Sequence, residues 1–360
     1  MSRFSKAVFL QFYGTVGAGI FALPYLFYKS DFYFSLIFLG ILTIVSGFIN
    51  YFYLEVVLNT AGDHQFSGYA QIYLGKNFKT LASLNILLLG LGATIAYIKL
   101  FSNFLVILFP YIPLFAASVI FIILLAFSHL YRFDLIRRLE NIIPIAILLV
   151  PLLILSAALQ ALPPALSSVV PNFSFFGSLI FALSGFTIIP EIEELFRGQP
   201  DKSKHTVLAS LIGLLLVSLI YLIFSFSVIR LSGFSLSVDS ITGIFKVSPW
   251  LGRCLAVFGL LITYEASLNF LLVFRELFYR DFRLSKPVSQ ILPLAIPFLS
   301  LFLFSVPFIQ VISLTGAITI YVSALMICAI RLRINPRPVT FLLAVLIFVS
   351  LTFGLLLEFG

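Results

Sequence analysis

Apolar residues in this chain run in long unbroken blocks. They fall at residues 7–29, 33–58, 80–109, 112–131 and 139–162, then at 174–196, 206–230, 250–275, 288–305, 308–331 and 338–357. A bilayer's hydrocarbon core of ~30 Å takes about 20 apolar residues of helix. The pattern therefore predicts eleven crossings. Lipid offers no partner to a backbone N–H or C=O, so only helices or a closed barrel can span it. Barrel strands would alternate in segments of about ten residues, and these blocks do not alternate. The expected fold class is an all-α membrane protein. Residues 288–330 carry no charge, so the cut between the ninth and tenth crossings is placed at Ser305-Val306-Pro307.

Charge then orients the chain. Of 22 Lys and Arg, alternate loops put seventeen on one side, beginning with Arg3 and Lys6 and including Arg132, Arg137 and Arg138. The other side holds Lys29, Arg230, Lys246 and Arg253, and Lys99 lies inside the third crossing. Cytoplasmic loops carry the excess of Lys and Arg. The N-terminus is expected in the cytoplasm of a cell (inner) membrane, and the C-terminus outside. The N-terminal block lacks a small-residue cleavage site and reads as a retained first helix. Loops are short, so residues 1–360 are expected to form one transmembrane domain.

Composition agrees and excludes other classes. The chain is 61% hydrophobic and 10% charged, with 42 Phe and a mean hydropathy of +1.15. A soluble protein of this size needs far more polar surface. The net charge of +8 follows from topology, so no nucleic-acid partner is expected. Cys254 and Cys328 sit in apolar blocks and indicate no disulfide framework. His64, His129 and His205 are scattered without metal-ligand spacing. Neither a cofactor nor a metal is expected, and no Ser–His or Cys–His arrangement marks an enzyme.

Two crossings are built to break. The first contains Gly14-Thr15-Val16-Gly17-Ala18-Gly19 and then Leu23-Pro24; the sixth contains Ser184-Gly185-Phe186-Thr187 and then Pro190. Glycine and proline disfavour a continuous helix. Small residues also serve close helix packing, which is the plainer reading of either stretch alone. As a pair they hold matching places in two five-helix halves that cross in opposite directions, and such pairs point to a transporter binding site. Unwinding at 14–19 frees N–H groups at the start of a half-helix, which suit a carboxylate. Freed carbonyls from Leu183 to Phe186 suit an ammonium group. Together they suit a zwitterionic amino acid.

The residues around these breaks resemble the amino acid/auxin permease family of the amino acid–polyamine–organocation superfamily, which includes the bacterial hydroxy and aromatic amino acid permeases. The resemblance rests on Gly14 to Gly19 with Leu23-Pro24-Tyr25, and on Phe181-Ala182 through Pro190-Glu191-Ile192. Tyr69-Ala70-Gln71-Ile72-Tyr73-Leu74-Gly75-Lys76, Tyr97 with Asn103, and Thr315-Gly316-Ala317 add to it. It implies the LeuT-type fold: an inverted repeat of two five-helix units, here about 7–162 and 174–331, plus an extra helix at 338–357. It also implies a substrate held between helices one, three, six, eight and ten. Where the aromatic permeases often carry a His in helix six, Phe186 or Thr187 stands here, and Lys99 has no counterpart in the pattern.

The substrate-lining candidates are accordingly Thr15, Gly17, Ala18, Gly19, Tyr97, Phe181, Ser184, Gly185, Phe186 and Thr187. Ionisable groups within a membrane span are functional candidates by default. Glu265, flanked by Thr263 and Ser267 in helix eight, is the candidate carrier of a coupling proton; a structural ion pair is the alternative. Thr263 and Ser267 with helix-one carbonyls are the rival sodium site. Lys99 is assigned a structural or gating role. Glu191, with Glu193 and Glu194, is either an interfacial acidic turn or an inner gate paired with Arg3 or Lys6. Glu55 and Glu140 read as interface charges. The expected function is proton-coupled symport of neutral or aromatic L-amino acids by alternating access. Sodium-coupled symport and a non-transporting amino acid sensor are the alternatives.

Overall fold

The structure is a computed structural model that describes residues 2–62, 64–131, 135–161, 171–199, 201–303 and 306–359, leaving aside the side chains of 135–142 and 303. Arg132, Ser305 and the side chains of Arg137, Arg138 and Glu140 lie outside the described residues.

The first apolar block is two helices, α1 (Arg3–Thr15) and α2 (Gly19–Lys29), bent by 61°. Then come α3 (Phe32–Leu58), the short α4 (Phe66–Leu74), α5 (Lys76–Leu108), α6 (Leu114–Tyr131) and α7 (Leu135–Gln160). The sixth block is α8 (Phe176–Ala182), a 3-10 turn at Phe186–Ile188, and α9 (Ile189–Phe196). Next are α10 (Lys202–Ser232), the short α11 (Ile241–Val247) and α12 (Pro249–Glu276), which ends in a π turn at Leu277–Asp281. The ninth block holds α13 (Lys286–Ile291) and α14 (Ala295–Ser300). The tenth is α15 (Phe308–Thr315), a π turn at Gly316–Ile320 and α16 (Tyr321–Ile334), and α17 (Pro338–Phe359) is last.

Among the described residues, eight helices are long and apolar enough to cross a membrane, and the bent α1–α2 pair makes nine. That stops short of eleven for a local reason. The sixth and ninth blocks are built from helices of eight residues or fewer. In the ninth, Pro293 and Pro297 each remove a backbone donor from the ladder.

The bundle's centre is α5, packed against α12 and α15. Small residues let these helices close up: a Cβ on Gly90 would meet the Phe274 ring, and one on Gly92 would meet Thr315. On its other side the pair α1–α2 lies against α10. The last helix is tied in by a carboxylate. Glu358 accepts the Gly177 N–H at the start of α8 at 2.7 Å and the Ser313 hydroxyl of α15 at 2.5 Å.

Candidate functional site

The first break leaves donors open. Val16 N–H still reaches Phe12 O at 3.3 Å, and α2 restarts with Ile20 N–H to Gly17 O at 3.3 Å and Phe21 N–H to Ala18 O at 3.1 Å. Among the described residues, no backbone carbonyl accepts from the N–H of Gly17, Ala18 or Gly19. These donors lie at a helix start, where the helix dipole adds positive potential. Glycine is needed here for close approach. A Cβ on Gly17 would stand 2.5 Å from the Tyr97 hydroxyl, and one on Gly19 would stand 2.8 Å from Ala182 Cα. The Tyr97 hydroxyl also hydrogen-bonds to the backbone of Ala18.

The second break is different. Gly185 N–H donates to Leu183 O at 2.9 Å, and Ser184 donates to Phe181 O from both its N–H (3.1 Å) and its hydroxyl (2.6 Å). The Tyr221 hydroxyl of α10 donates to Ala182 O at 2.8 Å. The Gln11 side-chain amide of α1 donates to Gly185 O at 3.2 Å. Of the carbonyls from 181 to 185, Ser184's alone has no donor among the described residues. The expected row of free carbonyls from Leu183 to Phe186 is thus corrected: Leu183 and Gly185 already accept bonds, because side chains and turns return donors to what the break released.

Gln11 is fully buried and joins both breaks. Its amide also donates to the Thr15 hydroxyl at 3.0 Å, and its carbonyl oxygen accepts from Ser210 of α10 at 3.0 Å. Sequence reasoning missed Gln11, Ser210 and Tyr221. The available signal was a single amide side chain within an apolar block, where buried polar groups must find partners.

A cavity of about 240 Å³ lies between the breaks. It is lined by nine of the expected residues: Thr15, Gly17, Gly19, Tyr97, Phe181, Ser184, Thr187, Glu191 and Glu265. Tyr13, Gln65, Asn269, Phe270 and Glu276 also line it and were not anticipated. Glu265 is 4% exposed and accepts from the Asn269 amide one turn away at 2.5 Å.

Six expected residues lie outside this lining. Ala18 and Gly185 are buried in the backbone of the breaks, Gly185 facing Thr15 and Gln11. The Phe186 ring packs edge-on between Tyr53 and Phe66, at 5.9 and 5.8 Å. Thr263 and Ser267 donate back into their own helix, to Gly259 O at 2.8 Å and Thr263 O at 2.7 Å. The Lys99 ammonium donates to the carbonyl of Val306, just before α15.

The cavity adjoins a larger vestibule of about 1010 Å³ at the end of the bundle that carries Arg197, Lys202, Arg275 and Arg280. Leu10, Gln65, Glu191, Leu272 and Glu276 line both spaces. Charges there are largely paired. Glu193 takes Arg197 at 3.0 Å and also Lys202; Glu276 takes Arg275 and Arg280, each at 2.8 Å. The opposite end is shut by rings. Buried Phe21 meets Phe104, Phe224 and Phe258 at 5.1, 6.0 and 6.2 Å between centroids. Ser240 closes over them, donating to Phe21 O at 2.6 Å.

Known proteins bear on this arrangement. The inward-facing conformation of Mhp1 superimposes with a TM-score of 0.71 at 15% identity, covering 99% of this chain and 89% of that one. Mhp1 is described as a nucleobase-cation-symport-1 family transporter, and its closed form with bromovinylhydantoin bound matches with a TM-score of 0.65 at 15% identity, covering 99% and 91%. The Eremococcus coleocola manganese transporter, in complex with an aromatic bis-isothiourea substituted compound, gives 0.69 at 14% identity over 98% and 85%. At these identities the likeness shows the fold alone. No curated protein matches the chain by sequence. The fold is of the LeuT type, with a buried cavity between two broken helices. The family model for transmembrane amino acid transporter proteins matches residues 2–229, and the chain belongs to that family. The match spans both breaks and ends before Glu265.

Proposed function

We infer that the protein is a secondary active transporter of amino acids that works by alternating access, with proton coupling at Glu265. One observation carries the reading. Two residues whose backbone amides have no backbone acceptor, Gly17 and Gly19, border a buried cavity that also holds a carboxylate. A zwitterion presents the complement of that pair. Family membership supports an amino acid as the cargo, and the cavity's size favours a small ligand, since drug-sized ligands take pockets of about 300–1,000 Å³. Phe181, Phe270 and Val273 in the lining favour an apolar side chain.

Proton coupling is preferred to sodium coupling. Thr263 and Ser267 lie outside the cavity lining, whereas Glu265 lines the cavity. Residues of about 7–162 and 174–331 act as the two repeats, with 338–357 added. The basic end faces the cytoplasm of the cell membrane, so the cavity here communicates inward. Outward access requires Phe21 to part from Phe104 and Phe258.

Purified protein in liposomes is expected to carry a neutral L-amino acid at a rate that responds to a pH gradient and not to sodium. Folded protein that neither moves nor binds any of the twenty common amino acids sinks this reading.

A further inference from the structure

Opening the end opposite the vestibule strains one contact in particular. Phe21 is carried by α2, and α2 lies against α8 with Gly19 on Ala182. Parting Phe21 from Phe104 of α5 and Phe258 of α12 therefore carries α8 along. α15 lies on the bundle's centre, its Thr315 seated on Gly92 of α5. The contact that has to give is the one between α8 and α15. It is backbone on backbone: a Cβ on Gly177 would meet Ser313 O, and one on Gly316, just after α15, would meet Gly177 O.

α17, the helix outside the two repeats, sits across that contact. It packs on α16, α8 and α3, with Gly354 against the Phe176 ring. In its last turn the half-buried Glu358 accepts the Gly177 N–H of α8 through Oε2 at 2.7 Å and the Ser313 hydroxyl of α15 through Oε1 at 2.5 Å. One carboxylate thus joins a helix that must move to a helix that lies on the centre. Hydrogen bonds to an ionised acceptor are about twice as strong as neutral ones. A proton on the carboxylate removes the charge and turns one acceptor oxygen into a donor.

Resting on the alternating-access reading above, we propose that Glu358 is a proton-released latch on the outer gate. Ionised, it ties α8 to α15 and keeps the outer end shut. Protonated from the outer side, it lets the two helices part, so the gate opens where protons are abundant. The groups around it leave the titration to Glu358. α8 and α15 carry no titratable side chain, and α17 carries no other. On α16, the Tyr321 hydroxyl pairs with Thr352 of α17 at 3.1 Å, and Arg331 and Arg333 lie toward the vestibule end. At this end α3 offers Tyr33, which is exposed, and its cap Asp31, which accepts the Phe34 N–H at 2.9 Å. Lys29 at the end of α2 faces the Tyr25 ring, and Lys99 of α5 donates to Val306 O. No Lys or Arg pairs with Glu358 among the described residues.

The test reads a distance across the outer end of the full chain in detergent. Spin labels go on Lys29→Cys at the end of α2 and on Tyr111→Cys just beyond α5, both exposed positions, with the exposed Cys254 changed to Ser. At about pH 8 the short distance should dominate, the open form being a minor state of about 0.1–10%. Toward about pH 4, across the carboxyl range, the long distance should grow about tenfold or more. Glu358→Gln keeps the side chain's size and loses the charge. It should show that growth already at about pH 8 and no further response to pH. Ser313→Ala removes one bond to the carboxylate and should move the response to higher pH. A distance that stays short in Glu358→Gln, or a pH response that survives it, overturns the latch, and amino acid binding by the same protein leaves the carrier reading standing. Folded wild-type protein that binds no amino acid removes both.

Discussion

At the first break the Gly17, Ala18 and Gly19 amides have no backbone acceptor among the described residues. At the second, carbonyls from Phe181 to Gly185 are mostly taken by a turn, by Gln11 and by Tyr221. Both stretches combine glycine with a downstream proline, and both stop a helix in mid-span. A break exposes donors on the side where a helix begins and acceptors on the side where one ends. Which of them is left for a ligand depends on what the rest of the bundle returns. Here α10 and α1 return donors to the second break, while at the first break Gly17 and Gly19, whose amides have no backbone acceptor among the described residues, line the cavity. Broken helices alone do not make a zwitterion site, because the neighbours decide its polarity.

The sharpest way to break this asymmetry is at the contact between the two breaks. Gly19→Ala would set a methyl group 2.8 Å from Ala182 Cα, a backbone atom that cannot swing away. Overpacking of this kind costs about 1–3 kcal/mol or more. The strain falls on the donors themselves, and a displacement of about 1 Å in such groups can cost about 100-fold. Amino acid binding by thermal-shift titration is expected to fall about 100-fold or more, while gel filtration still gives a folded protein. Binding within a few-fold of wild type would mean the two breaks are not coupled by this contact.

Gln11→Leu attacks the second break alone. It keeps much of the side-chain volume and strips the side-chain donor from Gly185 O, which keeps only the Ile188 N–H at 3.5 Å, and it leaves the Thr15 and Ser210 hydroxyls without their amide. Removing one partner from buried polar groups costs about 1–3 kcal/mol. Affinity is expected to fall about tenfold, with a lower melting temperature. A melting temperature that falls with affinity unchanged would make Gln11 a structural residue only.

The contrast between the breaks marks where sequence reading stops. Glycine and proline are local signals, so both interruptions were legible from Gly14–Gly19 and Gly185–Pro190. Glu265 stood out because a charge in an apolar block is costly. The donors that quiet the second break come from far along the chain: Gln11 reaches Gly185 across 174 positions, and no local pattern announces such a pair. Phe186 was placed on the cavity because it adjoins Gly185. In a 3-10 turn neighbouring side chains diverge, and its ring went to Tyr53 and Phe66. The ninth crossing looked whole because hydropathy ignores proline, and Pro293 and Pro297 leave it in short pieces.

The mildest probe is Tyr221→Phe, which removes one oxygen and leaves the ring in its buried place on α10. That oxygen donates to Ala182 O at 2.8 Å and stands 3.4 Å from Thr15 O, so it touches one carbonyl in each broken helix. A neutral hydrogen bond nets about 0.5–1.5 kcal/mol, which sets the expected loss of affinity at a few-fold. The sign is the informative part. If the Ala182 carbonyl were the substrate's ammonium acceptor, freeing it from Tyr221 would strengthen binding. If the ammonium binds elsewhere in the cavity, the freed carbonyl is only a buried group without its donor, and binding weakens slightly. Thermal-shift titration of Tyr221→Phe separates the two, because tighter binding would place the ammonium at the second break.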